Sequence, residues 1–295
     1  MKNFLKLIVV LPLLLGACSK LDSFDDNDSS IEEPVQHIEI EAASSYQTEK
    51  KTFYRDNKKI AGELYLPNNN KDVFPLLIMS HGFGGNMDGL KNDAYSFVKK
   101  GYATFVYDFI GGGSNIKSDG KMTEMSVLTE ASDLNAVIDS LKEDERISNS
   151  HIFLLGQSQG GFVSTYVAGT RNDIRGLLDF YPAFCIKDDA LEQYPNAEQV
   201  PETYFMSKMY TTLGKIYYTD VTSFDIYEVM ANIQCETLLL HGTADNIVPV
   251  KYAQRAAQVI PHCTYIELQG AGHGFSGADN TKAINASLEL MNNNL

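Results

Sequence analysis

A serine, an aspartate and a histidine stand in three separate loops of this sequence, each loop following an apolar run. Ser158 lies in Gly156-Gln157-Ser158-Gln159-Gly160, after the run HIFLL and before the small-residue segment GGFVSTYVAG. A G-x-S-x-G pattern between a strand and a helix lifts a hydroxyl onto a turn so tight that larger neighbours would clash. The helix N-terminus behind it favours negative charge developing at the serine. His273 sits in GAGHGF, a glycine-rich setting that core packing explains poorly. Asp245 lies in GTADNIVP after the run ETLLLH. A carboxylate there could fix the tautomer of an imidazole and stabilise it once protonated. Asp179, near the end of the preceding apolar run, is its rival. The chemistry these residues could perform is acyl transfer: Ser158 attacks a carbonyl carbon while His273 takes its proton.

Acyl transfer also needs donors about 3 Å from the oxygen that becomes negative. The segment His81-Gly82-Phe83-Gly84-Gly85 follows the run FPLLIMS, and its small residues let backbone amides face a site. The N–H groups of Phe83 and Gln159 are the expected donors. His81 is expected to bond locally beneath its loop and not to serve as the base. The sequence holds no H-x-x-x-H, H-E-x-x-H or carboxylate cluster, and Gly111-Gly112-Gly113 lacks the spacing of a dinucleotide fingerprint. Neither a metal nor an organic cofactor is expected.

The elements that would hold these loops are legible as alternating patterns. Residues 52–54 and 62–65 read as a hairpin turning at Asp56-Asn57. Residues 74–80, 102–107, 151–155, 175–180, 236–241 and 264–268 read as further strands. Several of these are nearly continuous apolar runs, as in strands covered on both faces. Helices are expected over residues 93–100, 126–144, 160–169, 251–259 and 281–291. The second carries Val127, Leu134, Val137, Ile138 and Leu141 at helical spacing. Such alternation argues for a mostly parallel, doubly wound α/β sheet. It lapses between residues 183 and 233, a Tyr-rich stretch with polar runs.

A chain of 295 residues can bury the core of one large domain. Its formal charge of −14 repels nucleic-acid phosphates, and no basic stripe offsets that, so no nucleic-acid partner is expected. Cys185, Cys235 and Cys263 fit no zinc spacing; Cys235 and Cys263 border apparent core strands and read as buried thiols. The first residues differ in kind. Lys2 and Lys6 precede an apolar run broken only by Pro12, which ends in Leu15-Gly16-Ala17-Cys18. That order describes a secretory leader, and the run is too short to span a bilayer. Its ending resembles a bacterial lipobox, which implies cleavage after residue 17 and a lipid on Cys18. Residues 18–45 are polar and acidic and read as a flexible tether; they also resemble the surface-export signal of Bacteroidetes lipoproteins. The expected organisation is therefore a leader over 1–17, a tether over 18–45 and one domain over 46–295. A membrane-anchored envelope protein is expected, at the outer membrane or cell surface.

With these loops in place, residues 52–295 resemble the α/β-hydrolase superfamily, and more narrowly its bacterial cinnamoyl (feruloyl) esterase branch. The broad markers are HGFGGN at His81, GQSQGG at Gly156, HGTADNIV at His241 and GAGHGF at Gly270. The narrower ones are YDF at Tyr107, SDGKMTEMSVLTE at Ser118, DAL at Asp189 and IYEV at Ile226. The resemblance implies the order Ser158, Asp245, His273 for the reacting residues, although some members keep their acid at the position of Asp179. It implies that residues 183–233 form a cap, in which Asp189 and Tyr217 hold a hydroxylated aromatic ring. It implies a serine ester hydrolase acting on a small or polysaccharide-linked ester. A serine peptidase of the same fold and a non-catalytic binding lipoprotein are the alternatives. Two departures stand out: Gln157, where the branch usually has His, and GGGSN at Gly111, where it has G-H-G-x-S.

Overall fold

The computed structural model describes residues 37–295. The leader, Cys18 and most of the expected tether lie outside them. The domain opens with β1 (Ser45–Arg55) and β2 (Lys58–Asn68), an antiparallel hairpin. Its turn residues Asp56 and Asn57 both take positive φ, 49° and 64°. A two-residue hairpin turn demands that conformation, and Asp and Asn tolerate it well. Both strands run well beyond the expected 52–54 and 62–65. β1 is an edge strand whose side chains alternate between half-buried and exposed, so its apolar signal is weak.

The chain continues through β3 (Phe74–Ser80), α1 (Lys91–Val98), β4 (Ala103–Tyr107), α2 (Val127–Leu141), β5 (Ile147–Gln157), α3 (Gln159–Ala168) and β6 (Gly176–Phe180). Next come α4 (Ile186–Gln193), β7 (Thr203–Met206), β8 (Thr211–Gly214), α5 (Lys215–Thr222) and α6 (Ile226–Met230). β9 (Glu236–Gly242), α7 (Lys251–Val259), β10 (Cys263–Leu268) and α8 (Gly277–Asn292) complete it. The eight-stranded sheet has the order β1-β2-β4-β3-β5-β6-β9-β10, and it is parallel from β4 to β10.

Alternation along each strand divides the core in two. Leu76, Ile78, Phe105, Leu154, Leu177 and Leu239 face the side covered by α2 and α3. Leu77, Met79, Val106, Leu155, Leu178 and Leu240 face the side covered by α1 and α8. Both faces are dry, which is why these strands read as unbroken apolar runs. The loops that carry Phe83, Ser158, Asp245 and His273 leave the carboxyl ends of β3, β5, β9 and β10, where open α/β sheets form their crevice.

Two features depart from the expectations. The expected tether reaches Ser45, yet its last residues lie against the domain. Ile40 packs on the core, the Ala43 N–H donates to Lys99 O at 3.0 Å, and Lys71 pairs with Glu39 at 3.2 Å. Net acidity obscured the few apolar residues that dock there. Within residues 183–233 the structure holds three α-helices, one 3-10 turn and a small antiparallel hairpin, β7–β8. None of Cys185, Cys235 and Cys263 is paired; the first two are buried and the third half-buried.

Candidate active site

Ser158 joins β5 to α3 with φ 54° and ψ −117°, a conformation L residues seldom adopt. Its N–H donates to Phe180 O at 3.0 Å, which ties the turn to β6. Gly160 must be glycine, because a Cβ there would lie 2.3 Å from Ser80 O on β3. The neighbouring Gln157, one of the two departures from the esterase pattern, donates its side-chain amide to Asp93 of α1 at 3.1 Å.

The histidine after β10 reaches the serine. His273 Nε2 lies 2.9 Å from Ser158 Oγ, and its Nδ1 lies 2.8 Å from Asp245 Oδ2. A carboxylate at Nδ1 fixes the proton there, so Nε2 is left to accept from the hydroxyl. Asp245 is held in turn: Oδ1 accepts the N–H groups of Ile247 and Val248 at 2.9 and 2.8 Å. His241, at the end of β9, places Nε2 2.8 Å from Val248 O and 3.2 Å from Asp245 Oδ2. Both partners are acceptors, so that nitrogen carries the proton. Tyr181, at positive φ, packs its ring edge-on to the His273 ring with centroids 4.9 Å apart. Burial pushes the Asp245 carboxyl upward, but the hydrogen bonds from His241, His273 and the Val248 N–H prevail and hold it well below the usual carboxylate range. The rival Asp179 is not in contact with His273. It is buried on β6, where the Thr165 hydroxyl donates to it at 2.6 Å, and burial pushes its carboxyl well up.

Phe83 and Gln159 line the same cleft as Ser158. His81 serves their loop from below: Nδ1 donates to Gly82 O at 2.8 Å and Nε2 accepts from the Phe109 N–H at 3.2 Å. Burial depresses its pKa. The run Gly111–Gly113 packs against this loop. Gly84 N–H donates to Gly112 O at 3.1 Å, and a Cβ on Gly113 would stand 1.7 Å from Gly85 O. Those glycines let a second loop pack flat against the Phe83 loop.

The cap borders the cleft, a partly open cavity of about 50 Å³. Asp189 and Tyr217 both line it, but neither is free. Lys208 Nζ meets both Asp189 oxygens, at 2.9 and 2.7 Å, and the Cys185 thiol donates to Oδ2 at 3.2 Å. The Tyr217 hydroxyl donates to Gln159 Oε1 at 2.6 Å, and Gln159 Nε2 donates to buried Glu130 Oε2 at 2.7 Å. Lys208, Glu130, Tyr181 and His241 also support the site, and no motif of the sequence assigns them to it. Glu130 left one trace: a charged residue on the buried stripe of α2. Lys208 left none.

Residues 72–219, about half of the chain, match the family model described as serine aminopeptidase, S33, and residues 219–290 match one described as TAP-like protein. The chain belongs to the first of these families. It is an α/β-hydrolase in fold and in the placing of its loops. The bovine (Bos taurus) mitochondrial palmitoyl-protein thioesterase ABHD10 is 26% identical over 195 residues, 61% of this chain and 60% of that protein. The chain thus spans less than two thirds of that relative. Est1E from Butyrivibrio proteoclasticus, solved with ferulic acid bound, superposes with a TM-score of 0.74 at 23% identity, over 82% of this chain and 99% of that one. An acetyl xylan esterase from Paenibacillus sp. R4 gives 0.65 at 17% identity, over 85% and 90%. Identities this low speak for the fold alone.

The Asp245 network makes a pH prediction. Its folded pKa lies below the ordinary value of 3.8, so its stabilisation is complete above that pH and is lost as pH falls through the folded value. The Tm gap between wild type and Asp245→Asn, followed by calorimetry, is expected to narrow as pH falls below ~4. A gap that does not narrow in acid overturns the assignment of an ionised Asp245.

Proposed function

We propose that the protein is a serine carboxylic ester hydrolase acting through an acyl-enzyme on Ser158. The observation that carries this is the continuous chain Asp245–His273–Ser158, with the serine on a strained elbow. The Ser158 oxygen attacks the ester carbonyl while His273 Nε2 takes its proton. The N–H groups of Phe83 and Gln159 stabilise the oxyanion. His273 then returns the proton to the departing alcohol as the carbon–oxygen bond breaks. Water, deprotonated by the same nitrogen, attacks the acyl-enzyme, and the proton passes to Ser158 as the acid leaves. No step calls on a metal or organic cofactor.

On the acyl side we propose hydroxycinnamoyl or acetyl esters of plant polysaccharides. Ile186, Met206 and Val248 give the cleft an apolar wall that suits an aromatic ring, and the Asp189–Lys208 pair offers its distal oxygen a donor and an acceptor. The similar fold of Est1E holds ferulic acid, which supports the same choice. The family's description raises an aminopeptidase reading. An aminopeptidase must hold a substrate ammonium with an uncompensated carboxylate. Asp189 is the carboxylate lining this cleft, and Lys208 already neutralises it. The complete Ser–His–Asp chain speaks against a binding protein without catalysis.

Residues 1–18 support a further part of the proposal: Cys18 carries a lipid and anchors the enzyme to the bacterial envelope, at the outer membrane or cell surface. Cys18→Ser expressed in a lipoprotein-processing host is expected to lose incorporated palmitate and to leave the membrane fraction. A variant that keeps both removes the anchor from the reading.

The central test is a panel of methyl ferulate, p-nitrophenyl acetate, a long-chain p-nitrophenyl ester and an aminoacyl p-nitroanilide. Ser158→Ala is expected to abolish turnover. Asp245→Asn is expected to lower kcat by about 10⁴, whereas Asp179→Asn stays within a few-fold of wild type. Efficient cleavage of methyl ferulate supports the aromatic acyl site. Cleavage of the acetate alone removes it and leaves the hydrolase, and cleavage of the anilide alone selects the peptidase.

A further inference from the structure

The structure assigns to Tyr217 of the cap a positioning role: it holds the two residues whose amides face the oxyanion, so that the cap completes the oxyanion hole. This rests on the ester-hydrolase reading above. Phe83 and Gln159 come from different loops, after β3 and at the start of α3. Tyr217 touches both. Its ring stands edge-on to Phe83, with centroids 6.0 Å apart and planes at 78°. Its hydroxyl donates to the Gln159 side chain at 2.6 Å. Gln159 is fixed from the other side by Glu130, at 2.7 Å, and all three side chains of this chain are buried.

The bonds run in one direction in this arrangement. The Gln159 NH₂ donates to Glu130, so the Gln159 oxygen must accept, and the proton of Tyr217 is the one it takes. Burial without a cation partner favours an uncharged Glu130, which lets this chain persist inside the domain. With its proton on Gln159, the Tyr217 hydroxyl has none left for a substrate in the cleft. Tyr217 is itself held in place, because α5 is anchored to the core by a hydrogen bond from Ser126 Oγ to Asp220. Gly214, just before α5, packs so close to Thr123 that a Cβ would lie 2.0 Å from its carbonyl oxygen.

Donor placement is what gives an oxyanion hole its effect, and displacements near 1 Å can cost about 100-fold in rate. A Gln159 side chain pinned at both ends holds the backbone it hangs from. The consequence is unusual for a cap residue: its loss should slow every ester, including those too small to reach the distal cleft.

The test uses full-length protein with Tyr217→Phe, Gln159→Leu and their double variant, each checked by thermal melt. Gln159→Leu keeps the backbone N–H and removes only the side-chain link. Each single variant is expected to lower kcat for p-nitrophenyl acetate about tenfold, with KM within about twofold. The double variant should be no slower than the slower single, because both break one chain. A Tyr217→Phe enzyme with wild-type kcat on the acetate and a raised KM for methyl ferulate overturns the inference and makes Tyr217 a substrate contact. Full additivity of the two losses overturns it as well. Wild-type protein that does not react with a fluorophosphonate probe overturns the hydrolase reading, and this inference with it.

Discussion

The left-handed backbone at Ser158 is the constraint on which the rest of the site depends. A non-glycine residue in such a conformation costs on the order of 1–3 kcal/mol and persists only where its surroundings over-determine it. Here β3 and β6 supply that confinement. The Ser158 N–H is bonded to Phe180 O, and the Ser158 carbonyl accepts the N–H of Ala183 at 2.9 Å. Gly160 rests on the backbone of Ser80. The elbow cannot relax without pulling apart the middle of the sheet. The same confinement aims the hydroxyl at His273 and leaves the first turn of α3 beside it.

The buried carboxylates around this elbow show how environment separates groups of one chemistry. Asp245 receives two backbone N–H donors and two imidazoles and stays ionised. Glu130 meets an amide side chain, Asp179 meets a hydroxyl, and both are pushed upward by burial. Of these, Asp245 is the one able to stabilise a protonated His273. Divergent environments for like groups are the usual mark of divided acid–base roles. Position along the sheet agrees: the loop after β9 faces the loop after β10, while Asp179 lies within β6 and below its end.

Much of this was legible in the sequence because the signals were local. The parallel strands are unbroken apolar runs since both faces of the sheet are covered. Ser158, Asp245 and His273 each lie in a short loop after such a run, and the structure brings them into one hydrogen-bonded chain. What escaped depends on distant partners. Asp189 and Tyr217 do line the cleft, but no local pattern reveals that Lys208 neutralises the first and Gln159 takes the proton of the second. The short strands β7 and β8 hid in a stretch with little alternation. Ile40 and Ala43 dock in spite of an acidic context, because a few apolar contacts on a preformed surface suffice where composition suggests a free tether. The GGGSN run, a departure from the expected pattern, is a packing device for the Phe83 loop.

The charge arrangement of the cleft narrows what it can accept. The chain carries a formal charge of −14, so an unpaired carboxylate facing Ser158 would add to a field that already repels anions and would draw in amines. The Lys208–Asp189 pair cancels that charge inside the cleft. A paired ammonium and carboxylate still have a donor and lone pairs to offer, so the cleft is polar at one end without being charged. The proposed acyl group, neutral with an oxygen at its far end, would satisfy both partners. A carboxylate-tipped acyl group would have to compete with Asp189 for Lys208, and an ammonium-tipped one with Lys208 for Asp189. Cys185 reinforces the neutral character: burial and the neighbouring Asp189 push its thiol up to about 12, so it stays protonated and adds no charge of its own.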